Sequence, residues 1–109
     1  MTEQKDTGVT ELSNAQKKYL RKLSHELAPV VYIGKEGLAP TVVEAIDAAL
    51  TSHELIKVKI INTTKISKDE AAEIVPAKSG STLVLLVGKT LLLYRKNPKR
   101  KKDEQIRLP

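Results

Sequence analysis

The stretch HELIKVKII, residues 53–61, alternates apolar and polar side chains in the way that decides the fold. In an extended chain, successive side chains point to opposite faces of the sheet. Ile56, Val58 and Ile60 therefore fall on one face, and Lys57 and Lys59 fall on the other. This pattern predicts a half-buried strand whose open face carries two lysines.

The segment before this strand is predicted to be a helix that follows a strand and a glycine loop. Pro40 suits the first position of a helix, where its missing N–H is not needed. Apolar side chains between residues 42 and 50 recur on one helical face, and Glu44 and Asp47 lie on the opposite face. Further upstream, PVVYIG, residues 29–34, is typical of a short strand.

A first helix is predicted to begin at Ser13, whose side chain can form a capping box with Gln16. At about 100° per residue, Tyr19 and the leucines at 20, 23 and 27 share one arc, which we assign to the core. The opposite arc has no acidic residue. It carries Lys17, Lys18, Arg21, Lys22 and His25. A solvated helix face usually mixes charges, so this arc favours contact with phosphate over simple solvation.

The segment after the alternating strand contains a third helix and a hairpin. Ser67 and Glu70 form a second capping box, and Pro76 should end or kink the helix that they begin. TLVLLV and TLLLYR are joined through Gly88 and Lys89, which predicts a tight hairpin. Their nearly continuous apolar content favours strands that are central or covered on both faces.

The element order is therefore α-β-α-β-α-β-β, which predicts an α/β fold: a single compact domain with a mixed four-stranded sheet and packed helices. Residues 1–12 are expected to form a flexible arm and residues 13–96 the folded domain. Residues 97–109 are expected to be a mostly solvated basic tail, in which Ile106 and Leu108 could dock.

Composition narrows the function. The 109 residues are 40% hydrophobic, enough for one modest core, and the formal net charge of +6 favours a polyanionic partner. The absence of cysteine excludes disulfides and thiolate chemistry. With no signal peptide pattern and no apolar run long enough to span a bilayer, we expect a cytoplasmic protein without a membrane partner.

The residues of common enzyme sites are missing. GKT, residues 88–90, resembles the end of a phosphate-binding P-loop, but Leu83 stands where that motif needs glycine, and a strand follows. His25 and His53 are the only histidines, and no set of residues has metal-ligand spacing. We predict that the chain is not an enzyme and takes no cofactor, metal or small-molecule substrate. Three tyrosines without tryptophan or phenylalanine also argue against a base-stacking sheet of the RRM type.

The loop GKEG, residues 34–37, has two possible roles. Its glycines let the backbone turn sharply and approach a partner closely, and the next helix directs its N-terminal N–H groups toward the same place. Together with Lys35, these features could hold a phosphate, as the GXXG loop of KH domains does. The alternative is a simple strand-to-helix turn.

Three separated stretches resemble the bacterial YhbY-type CRM domain proteins, named for chloroplast RNA splicing and ribosome maturation. They are LSNAQKKYLRKLSHELAPVVYIGKEGL, HELIKVKI and GKTLLLYR, and the resemblance covers roughly residues 12–96. It implies a fold similar to the C-terminal domain of translation initiation factor three. It also implies binding to RNA, specifically to ribosomal RNA of large-subunit precursors.

The resemblance assigns RNA contact to the loop, the first helix and the late hairpin. Together with the strand lysines, the predicted RNA-binding residues are Gly34, Lys35, Glu36, Gly37, Lys17, Lys18, Arg21, Lys22, Lys57, Lys59, Lys89 and Arg95. We expect a monomer that contacts mainly the RNA backbone. A protein-interaction module, with a structural glycine loop and a basic tail for an acidic partner, is the alternative. An RNA-modifying or RNA-cleaving enzyme is disfavoured by the residues present.

Overall fold

A computed structural model describes residues 11–61 and 65–109. They form three helices and four strands in the predicted order, which confirms the fold class. The elements are α1 (Asn14–Ser24), β1 (Pro29–Ile33), α2 (Pro40–His53), β2 (Leu55–Ile60), α3 (Lys68–Ser79), β3 (Thr82–Val87) and β4 (Thr90–Tyr94). Both predicted capping boxes are present, at Ser13 with Gln16 and at Ser67 with Glu70.

The four strands form one mixed sheet in the order β1-β2-β4-β3. β1 and β2 are parallel because α2 crosses between them, whereas β4 pairs antiparallel with β2 and with β3. β4 lies inside the sheet, and its residues 91–94 are buried on both faces, as its apolar sequence predicts. β3 is an edge strand and is only partly buried, so the same prediction is wrong for it.

One face of the sheet is covered by α2 and α3 and forms the main core. Ile46 and Leu50 of α2 and Val75 of α3 pack there against the apolar residues of all four strands. Their positions agree with the helical face predicted for α2 and with the alternation of β2. No helix within the described ranges 11–61 and 65–109 is long and apolar enough to cross a membrane.

The opposite face is covered only in part, by α1. Leu20 is buried against Leu55, Val84 and Tyr94, but the predicted core positions Tyr19, Leu23 and Leu27 keep 36–37% of their surface exposed. The buried stripe of α1 thus runs through Leu20 and Ser24, between the leucine arc and the basic arc. This rotation turns the basic arc toward the sheet. The sequence pattern had predicted that this arc points away from the core.

Pro76 does not end α3, contrary to one of the two predicted outcomes. The helix continues to Ser79, because Pro76 lies at the start of its last turn and removes only one helical hydrogen bond. Its carbonyl oxygen accepts the N–H groups of Gly80 and Ser81, and Gly80 adopts the left-handed conformation with φ of 64°. The helix therefore ends at glycine in the usual way.

The C-terminal segment is held against the domain by a buried carboxylate. Glu54 is fully buried and follows α2 with φ of 66°, an unusual conformation for a residue with a side chain. Its carboxylate accepts hydrogen bonds from the Asn97 N–H at 2.7 Å, the Ile106 N–H at 2.8 Å and the Arg100 guanidinium at 3.1 Å. Ile106 and Leu108 pack beside the buried residues under α1, such as Leu20 and Tyr94, so the docking that the sequence suggested does occur.

Tyr94 provides a pH-dependent test of this packing. Burial, with a smaller contribution from the Glu54 carboxylate, raises the pKa of the Tyr94 hydroxyl above its usual value of 10.0. The unfolded chain therefore loses this proton at a lower pH than the folded chain. The free energy of unfolding should be unaffected by this group below pH 10 and should then fall by up to about 1.4 kcal/mol per pH unit. Chemical denaturation of the parent and of Tyr94→Phe between about pH 8 and about pH 11 measures this fall. Equal dependence of the two proteins on pH would contradict the burial.

Candidate nucleic-acid interface

A groove of about 1010 Å³ lies between α1 and the uncovered end of the sheet. Its basic residues come from two elements that the sequence places far apart. They are Lys18, Arg21, Lys22 and His25 from α1 and the end of that helix, and Lys57 and Lys59 from β2. No carboxylate is found among the lining residues that the structure describes. Such a groove attracts phosphate and other anions and repels cationic ligands.

The floor of the groove is set by the register of the strands. Lys59 lies beside Thr90, which in turn pairs with Val87; Lys57 lies beside Leu92, which pairs with Leu85. These side chains all lie on the sheet face that carries α1, because residues two apart in a strand point the same way. The helix covers only the other end of that face. The result is an apolar floor between two basic walls.

Lys57 is both a wall of the groove and a structural contact. Its ammonium donates a hydrogen bond of 3.0 Å to the carbonyl oxygen of Leu27, in the segment that joins α1 to β1. This bond ties the end of α1 to the middle of β2. It leaves two of the three ammonium protons for a ligand. Lys59, one pair further along the strand, is exposed.

The GKEG loop forms a tight turn at the end of β1. The Gly37 N–H donates to the Gly34 carbonyl oxygen at 2.9 Å, and Gly37 has φ of 70°, which a side chain would strain. Lys35 and Glu36 occupy the exposed tip. After the turn, α2 begins with Pro40 and has no side-chain cap on its first N–H groups.

The β3–β4 hairpin lies at the same end of the sheet as this loop. Gly88 has φ of 56° at the first turn position, and the favoured two-residue hairpin turns require a positive φ there. The Lys89 carbonyl oxygen accepts the Ile60 N–H at 2.8 Å, and Ile61 lies 3.4 Å from where a Cβ on Gly34 would be. The loop, the hairpin and the Val87 and Thr90 part of the groove thus lie at the same end of the sheet.

Two predicted RNA-binding residues lie apart from this surface. Lys17 is not among the residues that line the groove. Arg95 points to the α2–α3 side, where its guanidinium contacts the Asp47 carboxylate and the Ser79 carbonyl oxygen, each at 2.7 Å. It also donates to the Asp47 carbonyl oxygen at 3.0 Å and to the Thr51 hydroxyl at 2.9 Å. We assign Arg95 a structural role, and RNA contact by it stays a prediction.

Sequence reasoning missed the floor of the groove and the buried carboxylate. The sequence identifies Leu85, Val87 and Leu92 only as apolar strand residues. Their pattern does not show which of these positions a helix covers. Glu54 gives no sign of burial, because glutamate is common in exposed segments between helices and strands. Within residues 11–61 and 65–109, no cluster of three or more metal-ligating side chains is found.

Comparison with known proteins identifies relatives over almost the whole chain. The sequence pattern of the CRS1/YhbY (CRM) domain matches residues 12–95. "Probable RNA-binding protein YqeI" of Bacillus subtilis is 36% identical over 90% of this chain and 99% of its own length. An "RNA-binding protein" of Haemophilus influenzae is 37% identical over 93% of this chain and 98% of its own.

A solved structure shows the same fold. The solution structure of a Staphylococcus aureus protein, described as a "hypothetical protein" and "a putative RNA binding protein", superposes with a TM-score of 0.73. The two chains are 35% identical, and the match covers 91% of this chain and 100% of the other. The resemblance predicted from the three sequence stretches is therefore confirmed.

Proposed function

The chain belongs to the CRS1/YhbY (CRM) domain family, and from that premise we propose that it is an RNA-binding module that contacts the ribosomal RNA of large-subunit precursors. Family membership also agrees with the prediction that it is not an enzyme. The observation that carries the proposal is the groove, in which five lysine and arginine side chains from α1 and β2 converge with His25, without a carboxylate among the described lining residues.

In the proposed mechanism, two parts of the surface hold RNA phosphates. Lys18, Arg21 and Lys22 on one wall and Lys59 on the other neutralise the backbone that enters the groove. The GKEG loop lies at the end of the sheet to which the groove extends, and its exposed Lys35 can take a neighbouring phosphate. The uncapped first turn of α2 adds a favourable dipole there. The protein acts as a monomer.

Salt dependence distinguishes this proposal from a protein-interaction module. If four to six phosphates are neutralised, log K for a single-stranded ribosomal RNA fragment should fall with log salt with a slope of roughly −3 to −4. Absence of binding at moderate salt would contradict the proposal and favour the protein partner.

Sedimentation with large-subunit precursors from a cell extract tests the ribosomal part: the protein should move with those particles and leave them as salt is raised.

Glu36 offers a test of the loop alone. Its carboxylate is exposed beside Lys35 at the tip of the turn, where it should repel an approaching phosphate. We expect Glu36→Gln to strengthen RNA binding by about 2- to 5-fold, since a surface charge contact is worth up to about 1 kcal/mol. Fluorescence anisotropy with a labelled ribosomal RNA fragment measures this change.

The matched control for the loop is Glu44→Gln, which removes the same charge from the exposed face of α2. It should change affinity by much less than Glu36→Gln at the same ionic strength, because it lies away from the groove. Equal gains from both variants would mean that only net charge matters and that the loop is not in contact with RNA.

A further inference from the structure

The groove has a feature that phosphate binding alone leaves unused. Between its basic walls lie Leu85, which is partly exposed, and Val87, which keeps 60% of its surface exposed, beside the buried Leu92. Phosphates gain nothing from such side chains, whereas the faces of unpaired bases do when they leave water. An apolar strip framed by cations therefore matches a ligand that is apolar in its middle and anionic along its side.

Duplex RNA does not present that combination. In an A-form helix the bases are stacked inside, and the outer surface offers phosphates and 2′-hydroxyl groups. A duplex could contact the lysines on the rim but would leave the floor exposed. The groove volume of about 1010 Å³ is at the upper end of the range of about 300–1,000 Å³ for sites that enclose small ligands. It can admit a short stretch of separated nucleotides.

We propose that this groove selects an unpaired RNA segment, with bases against Leu85 and Val87 and phosphates against the lysines and arginine of α1 and β2. This inference rests on the proposed function and specifies the RNA class that the groove accepts. Tyr32 extends the floor at the far edge: it pairs with Lys59 across β1 and β2 and is 52% exposed. Its ring supplies a stacking surface beside a positive charge.

The chain contains no tryptophan, so one introduced at the floor is a unique reporter. In Val87→Trp, fluorescence should be quenched when a short, non-self-complementary single-stranded RNA binds, because a base stacks on the indole. A blunt duplex of the same sequence, added to equal occupancy, should leave the fluorescence nearly unchanged. Val30→Trp is the control, since Val30 is similarly exposed at 49% but lines a separate groove with Leu23 and Leu27.

Anisotropy with the two labelled RNAs completes the test. Val87→Ser should lower affinity for the single strand by about 5-fold or more, because the bases then cover less apolar surface, and leave duplex affinity within about 2-fold, while Val30→Ser changes neither. If the parent protein binds neither RNA, the proposed function itself fails. If it binds strand and duplex equally and Val87→Ser weakens neither, RNA binding stands but the unpaired-segment proposal is overturned. Quenching of Val87→Trp by duplex would also overturn it.

Discussion

Reversing one charge on each wall of the groove, in the double variant Lys18→Glu and Lys59→Glu, should reduce RNA affinity about 100-fold. Both side chains line the groove and are exposed, one on α1 and one on β2. Two lost phosphate contacts at about 1.4 kcal/mol each give this factor, since hydrogen bonds to charged groups contribute about 1.5 kcal/mol or more. The slope of log K against log salt should become shallower by about 1.4. Titration of a labelled single-stranded ribosomal RNA fragment across a salt series measures both.

The matched control carries the same change in net charge on the other side of the molecule. Lys68→Glu and Lys78→Glu alter exposed positions of α3, which packs against the opposite face of the sheet. Long-range repulsion alone should weaken binding only slightly at physiological salt, where screening acts over about 8 Å. If the control loses as much affinity as the groove variant, binding depends on net charge and the groove is not the site.

Replacing Glu54 by glutamine should lower the free energy of unfolding by about 2–3 kcal/mol. This is a large effect for a substitution that hardly changes the shape of the side chain. The carboxylate accepts the N–H groups of Asn97 and Ile106 and pairs with Arg100 while fully buried. An amide offers one acceptor atom in place of two, so a buried donor loses its partner and Arg100 loses its counter-charge. Urea denaturation monitored by circular dichroism measures the difference.

The control for this change is again Glu44→Gln, at an exposed position where the effect should stay within about 0.5 kcal/mol. Hydrogen exchange adds a local measurement: the amides of Asn97 and Ile106 should lose protection in Glu54→Gln before the core strands do. An unchanged urea midpoint together with unchanged protection would mean that the C-terminal segment is not held by this carboxylate.

The order of the helices and strands was predictable because each of them has a signal in its local sequence. Two capping boxes, the position of Pro40, the alternation of residues 53–61 and the glycine of the hairpin each depend on near neighbours in the chain. What could not be predicted depends on how the elements pack. The buried stripe of α1 runs through Leu20 and Ser24 because the helix covers only one end of the sheet, and no periodicity in the helix encodes that extent.

The basic residues of the candidate site were predicted from the sequence, but the groove that they line was not. Lys18, Arg21 and Lys22 stand out as basic residues on one helix, but their approach to Lys59 follows from the rotation of α1. Arg95 looked equally available in sequence. Its four hydrogen bonds to α2 and the end of α3 depend on contacts more than 15 residues away, which local patterns do not reveal.

The central claim is that RNA lies in the groove between α1 and the sheet, and backbone amide shifts during an RNA titration test it most directly. With isotopically labelled protein and a single-stranded ribosomal RNA fragment, we predict that the largest shifts fall on three regions. They are the second half of α1, the loop at residues 34–37 and the sheet positions around Lys59 and Thr90. Largest shifts on the exposed acidic face of α2, around Glu44 and Asp47, would contradict the account.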